Sequence, residues 1–388
     1  MSIRCDRVCL RDGARDVLRA LSLDVPLGSP LVIVGPSGAG KSVLFRVLAG
    51  QLRPHAGRLQ IHGREVVLNG LRTSQVALIH ACSTNYPDFS VWGNIAVPFR
   101  LAQARLVEEQ VILLAHEVGL GTCLDLMPAE LSPLGQRRLA LARAMATRPA
   151  LLLIDDPLAG LSETEAALFL DDLPGICAAA WQHGIATVVG CRSSQVALAF
   201  GGPTAVMAQG RLQQQEAQAI DVLLRPVSLN VARVFGDPPI NLLRGVLHQH
   251  TVMIEHGPAV PLIEPLKVED PNVLVGIRPE DMRLQGGLGD LSLQVRVEQV
   301  LCSVNGTRLA CRGRAGPVTV SLPSVFRPSP GETVTLYVDP GALYLFDGAG
   351  ALVQQPERSV ERANRAMHEA ESSDEMPVDQ ATTIFAWR

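Results

Sequence analysis

Residues 31 to 50 read LVIVGPSGAGKSVLFRVLAG. Four apolar residues run into a glycine-rich turn, and an apolar stretch of helical character follows. That order predicts a buried strand, a tight loop and a helix. Such a loop turns backbone N–H groups toward one point at a helix N-terminus, and its glycines let the main chain approach phosphates closely. Lys41 supplies positive charge to the β and γ phosphates, and Ser42 a hydroxyl for Mg²⁺. Gly35, Pro36, Ser37, Gly38, Ala39, Gly40, Lys41, Ser42 and Val43 are therefore candidate nucleotide-binding residues. The plainer alternative, a turn that only caps a helix, does not require the strand before it.

A second apolar strand, LLLIDDP (151 to 157), ends abruptly in two carboxylates. Ligands of open α/β sheets sit beyond the carboxyl ends of the strands. Asp155 is thus placed to hold Mg²⁺ together with Ser42, and Asp156 to polarise an attacking water. Asp-Pro can also simply end a strand and open a turn. For Asp156 that alternative stays open.

The surrounding chain sets the frame. Its 388 residues exceed one ordinary core, and 47% hydrophobic with 19% charged residues suits a globular protein. The apolar runs fall far short of a bilayer span, and MSIRCDRV has no secretory apolar core, so a cytoplasmic protein is expected. Eight cysteines without metal-like spacing point to reduced thiols. A net charge of −4 without a basic block argues against nucleic acid as a partner.

Up to about residue 235, β-branched runs alternate with helical patterns, as in a layered α/β domain with a largely parallel sheet. After FGDPP (235 to 239), LSLQVRVEQV, VTVSL and TVTLYV alternate apolar with polar residues, which predicts a small all-β domain over 236–352. A polar tail, 353–388, follows.

The phosphate loop, then LSPLGQRRLALARA (131 to 144), then RPALLLIDDPLAGL, in that order, resemble the ATP-binding subunits of ABC transporters. VARVFGDPPINLLRG and VGIRPEDMRL resemble the OB-like (TOBE) domain of their carbohydrate-importer branch. NYPDFSVWGNIAVPF (85 to 99) is similar to the segment leading into the helical subdomain, here about 82–140, that contacts the permease. The resemblance implies a P-loop NTPase domain over 1–235, ATP with Mg²⁺, transmembrane permease partners and, indirectly, an external substrate-binding protein. It also implies a peripheral place on the cytoplasmic face of the inner membrane. A sugar, a polyol or glycerol phosphate is the implied cargo.

In that family two subunits close face to face, each ATP lying between one phosphate loop and the other subunit's LSGGQ signature. Here the signature is degenerate. Ser132 remains, and in the ungapped register, which Arg138, Ala140 and Arg143 fit better, Pro133 and Leu134 replace the two glycines and Gly135 the glutamine; a one-residue insertion would instead make Gly135-Gln136 the motif's end. Proline has no N–H to offer a phosphate. Asp156 stands for the family's glutamate and is one methylene short, where about 1 Å of misplacement can cost on the order of a hundredfold in rate. Arg192 falls near the family's histidine, Ala81 on its Mg²⁺-sensing glutamine, Asp12 on its adenine-stacking aromatic, and Ser162 on an aspartate between the subunits. SETE (162 to 165) also reads as a plain capping box. The expectation is a catalytically weak ATP-binding subunit paired with a second, different one. A drifted but active homodimer and a regulatory ATP-binding protein outside transport are the alternatives.

Overall fold

The computed structural model describes residues 3–26, 28–61, 63–66, 75–80, 85–101, 108–262, 270–303 and 306–356. Ala81, the start of the helical subdomain at 82–84, part of its interior and all of the tail beyond 356 lie outside them. The chain divides into two compact units, one reaching Ile240 and including Gly350–Leu352, the other starting at Asn241.

In the first unit, β1 (Ile3–Asp12), β2 (Arg15–Val25), β4 (Ala56–Ile61) and β5 (Arg64–Val66) form a four-stranded sheet ordered β2-β1-β4-β5. A six-stranded sheet combines β3 (Leu31–Val34), β6 (Val76–Ile79), β7 (Leu151–Asp155), β8 (Ala186–Cys191), β9 (Thr204–Ala208) and β10 (Arg211–Glu216), ordered β10-β9-β3-β8-β7-β6. From β9 to β6 its pairings are parallel. Parallel strands are buried on both faces, which explains why LVIV and LLLID run apolar without alternation. Leu31, Ile33, Leu151 and Leu153 join one core with helix α1 (Lys41–Leu48), and Val32, Val34, Leu152 and Ile154 join another. Helices α2 (Val91–Leu101), α3 (Glu108–Glu117), α4 (Pro133–Ala146), α5 (Glu163–Gln182) and α6 (Ser194–Phe200) build that second core. Two short helices, α7 (Ala219–Leu224) and α8 (Leu229–Val234), follow. The glutamine-rich RLQQQE, which propensity does not mark as a strand, becomes β10 because the edge of β9 supplies its hydrogen bonds.

In the second unit, β11 (Asn241–His248), β12 (Thr251–Ile254), β13 (Ala259–Pro261), β14 (Asn272–Ile277), β19 (Tyr344–Phe346) and β20 (Leu352–Gln354) give the order β13-β12-β11-β14-β19-β20. β15 (Leu291–Ser303), β16 (Gly306–Gly313), β17 (Gly316–Leu322) and β18 (Thr333–Val338) give β17-β16-β15-β18. The described pairings from β13 to β19 and from β17 to β18 are antiparallel. The alternation of LSLQVRVE puts Leu291, Leu293, Val295 and Val297 into one shared core with Val275 and Leu336. Buried Asn241 ties the sheets, donating to the Thr319 carbonyl at 2.8 Å and accepting from its N–H at 2.7 Å. The expected pair, a P-loop α/β fold and an all-β OB-like domain, is what the chain adopts.

Candidate functional site

The loop between β3 and α1 is shaped by its glycines. A Cβ on Gly35 would stand 2.4 Å from the Met207 carbonyl oxygen. Gly38 and Gly40 have φ of 79° and 103°, which side-chain-bearing residues rarely adopt. Gly35→Ala must displace main chain, so we expect a loss of about 1–3 kcal/mol in stability together with weaker nucleotide binding, read by thermal denaturation and titration.

Lys41 opens α1 and is 7% exposed. Its Nζ folds back along the loop, donating to the carbonyls of Gly35 at 2.5 Å and Pro36 at 3.2 Å. Burial pulls this lysine below its usual range and Arg192 pulls the same way, while Cys191, Asp156 and Asp155 oppose them. Cys191 acts only as a thiolate, and its own burial pushes it up to about 12. At neutral pH it is therefore the two carboxylates that favour the ammonium's charged form against burial.

Ser37 through Val43 line a cavity of about 440 Å³ together with Asp155, Asp156, Arg192, Asp12, Arg15 and Val17. Gly35 and Pro36 stand behind it as the acceptors of Lys41. Parallel pairing sets the ends of β3, β8 and β7 side by side, which is how distant segments reach one cavity. Asp155 ends β7 almost fully buried, and its Oδ2 lies 3.8 Å from His80 Nδ1.

Among the described residues, no group of three or more His, Cys, Asp or Glu could hold a metal by itself. Ser42 and Asp155 at one cavity are a donor set suited to Mg²⁺, which takes few protein ligands and completes its shell with phosphate and water. With the glycine cradle behind them, the residues fit a nucleotide with its cation.

Asp156 has a different setting. Its φ is 50°, its N–H donates to the Gly190 carbonyl at 2.8 Å, and its Oδ2 forms an ion pair with Arg192 Nε at 2.9 Å. One of its two carboxylate oxygens is thus paired with a guanidinium of the same chain. In the sequence Arg192 reads only as standing near the family's histidine. Its ion pair with Asp156 joins two segments and has no local signal.

Ser132, Pro133, Leu134 and Gly135 do not line this cavity. They form the first turn of α4, with Ser132 as N-cap accepting the Gly135 N–H at 3.1 Å. Pro133 has no donor, and the Leu134 N–H goes to Glu165 Oε1 at 3.2 Å. Glu165 is also the third residue of the SETE capping box, accepting from the Ser162 hydroxyl at 2.8 Å and the Ser162 N–H at 3.2 Å. These bonds, the Ser162 hydroxyl first, hold its carboxyl below the usual carboxylate range. Each N–H of Leu134 and Gly135 already has an acceptor in the same chain, and one acceptor is an anion.

Arg137 is a residue that sequence reasoning missed. Buried on α4, it donates to the carbonyls of Pro157 at 3.0 Å and Ala159 at 2.9 Å, fixing the segment after the two aspartates. Within QRR no local signal separates it from exposed Gln136 and half-buried Arg138. Farther along the surface, fully buried Asn94 binds the Tyr86 N–H and the carbonyls of Tyr86, Phe89 and Ser90 at 2.8–3.0 Å. It thereby presents Tyr86 and Phe89 as an exposed edge-to-face pair.

Known proteins carry the same arrangement of parts. The model of the family described as ABC transporter matches residues 18–159, and that of the TOBE domain residues 275–346. A xylose/arabinose import ATP-binding protein of Haloferax volcanii is 30% identical over 84% of this chain and 88% of its own. An alpha-glucoside transport ATP-binding protein of Rhizobium meliloti is 29% identical over 87% and 95%. An sn-glycerol-3-phosphate import ATP-binding protein of Burkholderia thailandensis is 29% identical over 87% and 95%. Among solved structures, the ADP conformation of an ATP-binding cassette of an ABC transporter has a TM-score of 0.50 and 19% identity over 58% of this chain and 96% of that one, a likeness of fold.

Proposed function

Since the chain belongs to the ATP-binding proteins of ABC transporters, with a TOBE domain after the cassette, we propose that it is a nucleotide-holding, weakly hydrolysing subunit of an importer. The cargo we assign is a carbohydrate, polyol or glycerol phosphate, the classes named for its relatives. Among the described residues, no helix is long and apolar enough to cross a membrane. A peripheral place at the cytoplasmic face, held by transmembrane permease subunits that receive cargo from an external binding protein, accords with that.

The observation that carries the weak-hydrolysis reading is the Arg192–Asp156 ion pair beside an intact phosphate loop. Bound ATP with Mg²⁺ would supply the phosphoryl group and the charge neutralisation. Lys41 and the loop amides hold the phosphates, Ser42 and Asp155 hold the cation, and Asp156 is drawn away from a water. In a face-to-face pair the signature turn would meet the partner's nucleotide with Leu134's bulk, no N–H on Pro133 and the Glu165 carboxylate. We therefore assign a second, different ATP-binding subunit as partner, and slow turnover to the pair.

Capture of the permease from membranes of the native host tests this directly. A second ATP-binding chain is expected in the complex, with negligible ATP hydrolysis by this chain alone; brisk turnover as a homodimer would overturn the reading. The Tyr86/Phe89 pair is the proposed permease contact. Asn94→Ala should cost about 2–3 kcal/mol, because several buried groups lose their partner, and Phe89→Ala should reduce co-purification with the permease without changing stability.

A further inference from the structure

A second cavity of about 380 Å³ adjoins the nucleotide cavity, and Arg15, Val17 and Ser37–Ala39 line both. Its volume lies in the range that small molecules occupy. Three arginines line it, Arg15, Arg19 and Arg233. Strand period accounts for two of them, since Arg15, Val17 and Arg19 alternate onto one face of β2 while Leu18 is buried on the other. Arg233 follows Asn230 by three positions on α8, which puts both on one side of that helix.

The frame that carries them is fixed. The turn from β9 to β10, Gln209 and Gly210, has φ of 51° and 75°, as a two-residue hairpin requires. The Gly210 N–H donates to the Ala39 carbonyl at 2.9 Å, the Gly210 carbonyl accepts from the Arg19 N–H at 2.9 Å, and a Cβ on Gly210 would strike the Val17 carbonyl oxygen. Phosphate loop, hairpin turn and β2 are thereby locked together, and the second cavity is cut into the same frame as the first.

Its charge is unbalanced. Arg15, Arg19 and Arg233 are exposed and make no ion pair among the described residues, and the cavity's one acidic residue, Asp16, is paired with Arg11 at 2.7 Å. Guanidinium groups around a concave surface favour an anionic occupant, and their planar forks match phosphate oxygens. One phosphate monoester brings about two charges, fewer than three arginines offer, so a second anionic group improves the match. Val17, Pro36, Ala39 and Val234 give the lining apolar surface for an organic body between the anionic ends, and the amides of Gln209 and Asn230 suit hydroxyl groups.

We propose that this cavity binds a small organic bisphosphate of the sugar or polyol class, and that its occupant weakens nucleotide binding. The two anions repel across the shared residues and both draw on Arg15, so by linkage each weakens the other equally. The site stands on its own charge and geometry, while the coupling rests on the nucleotide-binding reading.

Fructose 1,6-bisphosphate is the probe, titrated calorimetrically into the full chain at low salt without nucleotide. Saturable one-to-one binding is expected, with inorganic phosphate at least about tenfold weaker and fructose silent. Arg19→Ala with Arg233→Ala, both exposed and outside the nucleotide cavity, should weaken the bisphosphate at least about tenfold while leaving thermal stability and MgATP affinity unchanged, and high salt should weaken it in the unaltered chain. Saturating bisphosphate should lower MgATP affinity about fivefold, to a plateau, in the unaltered chain and not in the variant. Absence of saturable binding, or equal binding by the variant, would overturn the site, as would tight binding to vesicles of anionic phospholipid that the bisphosphate fails to displace. MgATP affinity that stays constant would overturn the coupling, and so would a loss that grows without limit, because the bisphosphate would then sit on the phosphate loop itself. Bisphosphate binding by a chain that binds no MgATP would leave the site standing and sink the nucleotide reading instead.

Discussion

Lys41→Ala is expected to weaken MgATP binding by at least about a hundredfold, roughly 3 kcal/mol, the scale of charge-assisted hydrogen bonds lost from an enclosed site. The side chain lies along the loop in the position that phosphates would share, its Nζ within 2.5 and 3.2 Å of two carbonyls. Its removal leaves the carbonyls of Gly35 and Pro36 facing an anion without a cation between them. Calorimetric titration checks the loss, and binding as tight as in the unaltered chain would remove Lys41 from the site. The same lysine sets the pH dependence. Burial lowers its pKa, and a bound phosphate favours the charged form. Affinity should therefore be full at low pH and fall as pH rises through the lowered value, at a lower pH than an ordinary lysine would give.

The second large effect is a gain. Alone, the chain should hydrolyse ATP at background, and Asp156→Glu by itself should leave that unchanged because Arg192 remains beside the longer carboxylate. Asp156→Glu with Arg192→His repairs one half of a shared site. Pro133→Gly and Leu134→Gly with Glu165→Gln repair the other, restoring an N–H and removing the anion that now accepts from residue 134. Neither half should act without the other. Together they should raise homodimer turnover by about a hundredfold or more, the scale that positioning and general-base assistance each supply. A phosphate-release assay reads the result, and appreciable gain from the Asp156→Glu change alone would show that Arg192 does not restrain the carboxylate.

Legibility followed distance along the chain. Strand, loop and helix around Lys41 could be read because the glycine spacing and the apolar runs act within a few residues of one another. SETE was readable for the same reason, as a capping box closes within one turn. The second carboxylate oxygen of that box was not, since its bond to Leu134 depends on how α4 and α5 pack. Arg137 was equally hidden, as its acceptors lie in the segment after β7. The Gln-rich β10 escaped because an edge strand takes its conformation from the neighbour it pairs with, against weak intrinsic preference.

What the sequence determined alone is a glycine-rich loop set between a buried strand and a helix, followed by an all-β domain, because short-range spacing and hydrophobic period are sufficient for both. The tertiary structure alone decided what the chemically active groups are free to do. Parallel packing of β7 against β8 brings Arg192 onto Asp156, and the seating of α5 beside α4 brings Glu165 onto the Leu134 N–H. Those contacts join residues far apart in the chain, and only the folded layers make them neighbours.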